Sequence, residues 1–112
     1  MSCLFCMIVE GQIPSKAVYE DEICYAFADI QPQAPIHVLV VPREHFASLS
    51  EVPAERKELP GHLLWAAARI ANDQKLDQGY RVVINTGTQG GQTVGHLHVH
   101  LLGRRQMAWP PG

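Results

Sequence analysis

The chain is 112 residues long, 46% hydrophobic, with a formal net charge of −2, which gives room for one domain around one core. No Lys/Arg block and no apolar run of membrane-span length occurs in it, so neither a nucleic-acid footprint nor a membrane partner is expected. Any phosphate recognition must therefore be local, through backbone amides and histidines.

The start, "MSCLFCMIVEG", has neither a basic leader nor a small-residue cleavage site, so no signal peptide is read there. Cys3, Cys6 and Cys24 are an odd set of thiols, which suits a reducing compartment, and the expected location is cytoplasmic. Residues 3–10 predict a short helix stopped by Gly11 and Pro14. Ala17–Tyr19 and Ile23–Ala28 predict two strands around the acidic turn Glu20-Asp21-Glu22. After the loop "QPQAP", the β-branched run "IHVLVVP" predicts a strand ended by Pro42.

From Ser50 the pattern turns helical, with Ser50 as N-cap, Pro53 in the first turn, and a kink or restart at Pro60-Gly61 before a helix over 61–75. In "LLWAAARIA", residues 63–71, only Arg69 is polar. A helix apolar almost all round needs cover on more than one side, which suggests a second subunit. The last third predicts strands over 80–86 and 96–102, joined by a loop with Gly87, Gly90, Gly91 and Gly95. Strands grouped together rather than alternating with helices favour an α+β domain with an antiparallel sheet.

The second of those strands carries "GHLHVHLLG", which sets His96, His98 and His100 at alternate positions. In a strand the three imidazoles would share one face and Leu97, Val99 and Leu101 the other. A solvated histidine-rich face is the plain reading. A metal site is a second, because imidazole is the commonest metal ligand. Phosphoryl chemistry is a third, one imidazole attacking phosphorus while its neighbours supply hydrogen bonds or a proton. The glycine-rich loop feeding into the row lets backbone N–H groups approach an anion; it lacks the G-K-[ST] ending of a Walker motif. Asn85 and Asp29 are polar residues at strand ends, which could equally be turn residues.

"GGQTVGHLHVHLLGRRQMAWPPG" resembles the signature and tail of the histidine triad (HIT) nucleotide-binding proteins, specifically the Hint branch. "EGQIPSKAVYEDE", "AFADIQPQAPIHVLVVPREH" and "GYRVVINTG" are similar to the corresponding Hint segments at compatible spacing, so the resemblance covers essentially the whole chain as a single HIT domain, residues 1–112. It implies an antiparallel sheet with one longer helix and a short N-terminal one. It also implies a purine nucleoside phosphoramidase-like hydrolase that cleaves the P–N bond of adenosine or guanosine 5′-phosphoramidates and binds AMP or GMP.

Carried over by residue, His98 matches the nucleophile that forms a nucleotidyl-histidine, and His100 the group that contacts the phosphate and assists departure of the amine. His37 matches a supporting histidine and His96 the first triad member. Asp29 and Ile30 match the ribose site; Asn85, Gly91, Gln92 and Thr93 the phosphate site; Phe5 and Phe27 the walls for the base. No cofactor is required for that catalysis. Gly95, Ala28 and Ala108 depart from the residues usual in the branch. Some HIT relatives with a similar "C-x-F-C" start bind structural zinc, and the matching ligands here are Cys3, Cys6, His45 and His96. Cys24 is expected in the core and His62 at the surface or an interface. The "WPPG" tail, with Trp109, resembles one that reaches toward the active site of a partner subunit, so a homodimer is expected. The alternatives are a Fhit-type dinucleoside polyphosphate hydrolase and a nucleotide-binding or scaffold protein with incidental catalysis.

Overall fold

The structure is a computed structural model that describes residues 3–112. In chain order it contains α1 (Leu4–Val9), β1 (Ala17–Glu20), β2 (Cys24–Ala28), β3 (Ile36–Pro42), two 3-10 turns at Leu49–Glu51 and Ala54–Arg56, α2 (Leu59–Asp73), β4 (Tyr80–Val83) and β5 (Val99–Gly103). The strands form one antiparallel sheet of order β1-β2-β3-β5-β4. This is the α+β architecture expected of a HIT domain.

Strand alternation sorts the sheet into two faces. Cys24, Ala26, Val38, Val40, Val99 and Leu101 pack against Leu63, Ala66, Ala67 and Ile70 of α2. Full burial of a side chain such as Leu63 or Ile70 contributes about 1.5–3 kcal/mol, and the two alanines let the helix lie close to the strands. On the opposite face Phe27, Leu39 and Val41 meet Phe5 and Ile8 of α1. β3 is covered on both sides, which is why its sequence reads as a nearly continuous apolar run. The turn between β1 and β2 is closed by Asp21, whose Oδ1 accepts from the N–H groups of Ile23 and Cys24 at 2.8 Å each, an Asx turn.

Two expectations change and one choice is decided. Ser50 is not a helix N-cap: it lies within the Leu49–Glu51 turn, and Pro53 forces the preceding Val52 into an extended conformation that breaks the helical path. Of the kink or restart expected at Pro60-Gly61 the structure has the restart: α2 begins at Leu59 with proline in its first turn, where no donor is lost. The last two strands are shorter than 80–86 and 96–102, since β4 and β5 pair only over Tyr80–Val83 and His100–Gly103. Ahead of β5 the chain turns instead to the loop after β3, Leu97 N–H donating to the Phe46 carbonyl at 2.7 Å. The alternation of the histidine row survives this shortening, with Leu97, Val99 and Leu101 in the core beneath α2. On the exposed side of α2, Leu64 and Trp65 remain open, Trp65 at 52%. No described helix is long and apolar enough to cross a membrane.

Candidate active site and adjoining thiol–imidazole cluster

On the α1 face of the sheet lies a cavity of about 380 Å³. Phe5 and Ile8 of α1, Phe27 of β2 and Leu39 of β3 form its apolar part, and Asp29, Thr93, His98 and His100 its polar part. Phe5 stands edge-on to Phe27 at 5.6 Å and to His98 at 5.2 Å between ring centroids. Such edge contacts set the ring orientations of a pocket wall.

The proton positions on the histidines follow from their partners. His98 Nδ1 lies 2.7 Å from the carbonyl oxygen of His96; a carbonyl only accepts, so the hydrogen is on Nδ1 and Nε2 keeps its lone pair. The backbone N–H of Gln33 donates to His37 Nδ1 at 3.0 Å, so neutral His37 carries its hydrogen on Nε2. That hydrogen is donated to His100 Nδ1, 2.9 Å away, which leaves the hydrogen of His100 on its Nε2. Two neighbouring rings, 4.9 Å apart, thus present a bare nitrogen and an N–H donor. Burial pushes the His100 pKa down to about 4, assisted by His98 and His37 and opposed by Asp29. His37 is likewise lowered by burial against the pull of Asp29, whose Oδ2 lies 3.4 Å from His37 Nε2.

His96 is fully buried and faces a different way. Its Nε2 donates to the Pro42 carbonyl at 3.0 Å, so Nδ1 holds a lone pair, and burial lowers its pKa. That lone pair looks into a cluster with Cys3, Cys6 and His45 in which one ligand atom from each residue lies within 4.8 Å of all the others. The separations are 3.4 Å for Cys3 Sγ to His96 Nδ1, 3.6 Å for Cys6 Sγ to His96 Nδ1, 3.3 Å for Cys6 Sγ to His45 Nδ1, and 3.1 Å for His45 Nδ1 to His96 Nδ1. The edges of a tetrahedron of such ligands around zinc are about 3.3–3.8 Å long. The donor set therefore fits a Cys₂His₂ metal ion in chemistry, the four separations lie within about 0.2 Å of those edges, and His96 has the tautomer a ligand needs. Without one, the Cys6 thiol is pushed up to about 11 by burial and by Cys3.

The structure gathers most of the residues expected at a nucleotide site and leaves three apart. Phe5, Phe27, Asp29, Ile30, Thr93, His98 and His100 line the cavity, Ile30 only at its mouth with 94% of its surface exposed. Asn85, Gly91 and Gln92 stand outside that lining. Gln92 is committed elsewhere: its Nε2 donates to the Ala47 and Val94 carbonyls at 2.7 and 2.9 Å, and its Oε1 accepts from Gly87 N–H at 3.1 Å. His96, the first triad member, lies in the thiol cluster with Cys3, Cys6 and His45, the set to which the resemblance matched it. The loop itself needs its glycines, since Gly87 and Gly91 have φ of +74° and +81° and a Cβ on Gly90 would collide with the backbone of Thr86.

Leu39 and Ile8 in the wall, Ser15 at the rim and the backbone N–H of Gln33 were not anticipated. Alternation along "IHVLVVP" puts Leu39 on the face of His37 and could have found it; a loop N–H leaves no trace in side-chain identity. His62 is half-buried, its Nε2 2.8 Å from Asp21 Oδ2. Burial raises the Asp21 carboxyl, but hydrogen bonds from Cys24, Ile23, His62 and Tyr19 outweigh it and hold the group well below the usual carboxylate range. Cys24 beside it is a core residue, its thiol pushed up to about 12 by burial and by Asp21.

Comparison with known proteins matches residues 10–107 to the family described as "HIT domain". An uncharacterized HIT-like protein of Synechococcus elongatus is 54% identical over 109 residues, covering 97% of this chain and 96% of that one. A 14 kDa zinc-binding protein of Zea mays is 49% identical over 111 residues, covering 97% and 87%. Among solved structures, a HIT family hydrolase from Legionella pneumophila superposes with a TM-score of 0.95 at 47% identity, covering 99% of this chain and 100% of that one. A histidine triad nucleotide-binding protein from Candida albicans superposes with a TM-score of 0.83 at 34% identity, covering 97% and 83%.

Proposed function

The chain belongs to the HIT domain family, and from that premise we propose that it is a hydrolase of the Hint branch, a purine nucleoside phosphoramidase acting through His98. One observation carries the reading: in a cavity lined by His98 and His100, main-chain partners leave His98 Nε2 with a lone pair and, through His37, His100 Nε2 with a proton. Its relatives include a named HIT family hydrolase and a named nucleotide-binding protein.

In the first step His98 Nε2 attacks the α-phosphorus of an adenosine or guanosine 5′-phosphoramidate. The P–N bond breaks as His100 Nε2–H gives its proton to the departing amine, and a nucleotidyl-histidine forms whose ring carries a positive charge opposite the His100–His37 pair, now one proton short and negative. The Nδ1–H bond to the His96 carbonyl stabilises the positive charge that develops on His98. In the second step water attacks phosphorus and gives a proton to the His100–His37 pair, the bond from phosphorus to His98 Nε2 breaks with its electron pair returning to the ring, and the nucleoside monophosphate leaves with all three rings in their starting neutral tautomers. Splitting one displacement into two lowers each barrier, and a poised proton donor is worth about 10²–10⁴-fold. Asp29 accepts the ribose hydroxyls, and Phe5, Ile8, Phe27 and Leu39 enclose the purine.

We further propose a structural zinc ion held by Cys3, Cys6, His45 and His96, supported by the cluster's tetrahedral spacing and by the zinc-binding maize relative. Zinc there supplies bracing, not chemistry. A homodimer is supported by the open side of α2, with Leu64 and Trp65, and by β4 standing as an edge strand with Tyr80 exposed. The free thiols suit the cytoplasm as its compartment.

The test compares wild type and His98→Ala on an adenosine phosphoramidate and on a diadenosine polyphosphate. Phosphoramidate turnover that vanishes in the variant supports the proposal. A preference for the polyphosphate would replace it with the Fhit-type reading, and tight AMP binding without turnover of either would make the chain a binding protein.

A further inference from the structure

We propose that the Cys3–Cys6–His45–His96 cluster, when it holds its metal, positions the wall of the nucleotide pocket, so that metal loss weakens nucleotide binding while leaving the chemical step nearly intact. This rests on the zinc and nucleotide readings above and adds a division of labour between them.

The argument begins with the length of α1. Six residues, Leu4–Val9, do not hold a helix unaided, and only Phe5 and Ile8 of α1 are buried against the sheet. Both side chains also line the cavity, joined there by the more exposed Leu4. Both sulfur ligands sit on this helix: Cys3 is its N-cap, its Sγ accepting from Cys6 N–H at 3.4 Å, and Cys6 lies one turn on. The two nitrogen ligands come from elsewhere, His45 beyond the end of β3 and His96 ahead of β5. A metal ion at this point therefore ties α1 to the sheet through two residues that flank Phe5.

The segment carrying His98 has other moorings. The His96 ring donates to the Pro42 carbonyl at 3.0 Å, Leu97 N–H donates to the Phe46 carbonyl at 2.7 Å, and His98 Nδ1–H donates to the His96 carbonyl at 2.7 Å. β5 then runs between β3 and β4. None of these bonds uses a metal. Loss of the ion releases the wall and spares the nucleophile.

The size of the effect follows from occupancy of the docked state. If α1 is docked about one-tenth of the time without metal, the apparent Kd for a nucleotide rises about tenfold, because only the docked fraction binds.

His45→Gln removes one ligand without altering α1 or the cavity lining. Zinc-loaded wild type, wild type after chelation and His45→Gln are compared for zinc content, AMP affinity by calorimetry, amide exchange over residues 4–9 and 99–103, and steady-state turnover of an adenosine phosphoramidate. Expected on zinc loss are a rise of about tenfold in AMP Kd and in KM, faster exchange over 4–9 with 99–103 still protected, and kcat changed by less than about threefold. Zinc loss with AMP Kd unchanged overturns the proposal, and so does a fall in kcat at constant AMP Kd. A wild-type chain that takes up no zinc overturns the metal reading and this proposal together, while AMP binding by that chain keeps the nucleotide reading standing. Zinc uptake with no AMP binding in any state overturns the nucleotide reading instead.

Discussion

Gln92→Ala separates two roles for a residue that the resemblance assigns to the phosphate and that the structure engages in hydrogen bonds to the main chain. Its amide makes three hydrogen bonds that join the loop at Gly87, the segment after His45 at Ala47 and the approach to β5 at Val94. Each such bond contributes a net of about 0.5–1.5 kcal/mol. A hollow lined by Ala47, Thr86, Gly87 and Gln92 opens beside them, so water can re-satisfy the freed backbone groups and the cost falls in the lower part of that range. The expected loss is about 1.5–2.5 kcal/mol, or roughly 6–15 °C in Tm at about 4–6 °C per kcal/mol for a chain of this size. Gln92→Glu should cost more than the alanine variant, since a carboxylate would face the Ala47 and Val94 carbonyls without the donors they now receive. Thermal unfolding by circular dichroism, paired with AMP titration at matched zinc content, reads both quantities. An unchanged Tm together with a collapse in AMP affinity would refute the bracing role and return Gln92 to the phosphate.

His37→Phe keeps an aromatic ring, a somewhat larger one, but removes the donor to His100 Nδ1, freeing the His100 tautomer; kcat on a phosphoramidate should fall about 10²-fold or more, and unchanged kcat would show that His37 does not set that proton. His100 and His37 both have pKa values lowered in the folded chain, so the unfolded state binds more protons below its histidine range. Stability should hold above about pH 6.5 and decline as the pH falls toward 4. The His100 share is at most about 3 kcal/mol, roughly half of that after solvent screening, and urea midpoints across that window, flatter in His100→Gln, check it. Lys75 closes α2 with φ of +59°, its N–H donating to Asn72 and that of Leu76 to Ala71. Lys75→Gly should therefore stabilise by about 0.5–1 kcal/mol, read as a raised urea midpoint.

What the sequence made legible depended on whether a side chain's identity determines its place. Period-two alternation in "HLHVHLL" was enough to put Leu97, Val99 and Leu101 in the core, and the paired thiols, His45 and the first triad histidine could be grouped by resemblance before their distances were known. The segment after Ser50 misled because Pro53 acts on the backbone of its predecessor, an effect that outweighed the helical composition around it. Gln92 could not be assigned from its identity for a related reason. An amide beside glycines suits an anion or a carbonyl equally well, and only the positions of Ala47 and Val94 decide between them.

The groups that fix the protons on the three buried imidazoles His37, His96 and His98 are all main-chain atoms: the N–H of Gln33, the carbonyl of Pro42 and the carbonyl of His96. Such atoms are supplied by whatever residue occupies the position. Sequence drift at 33 or 42 can therefore proceed without disturbing the arrangement of acid and base, provided the chain keeps its path. The one side-chain identity that would break it at 33 is proline, which has no hydrogen to give.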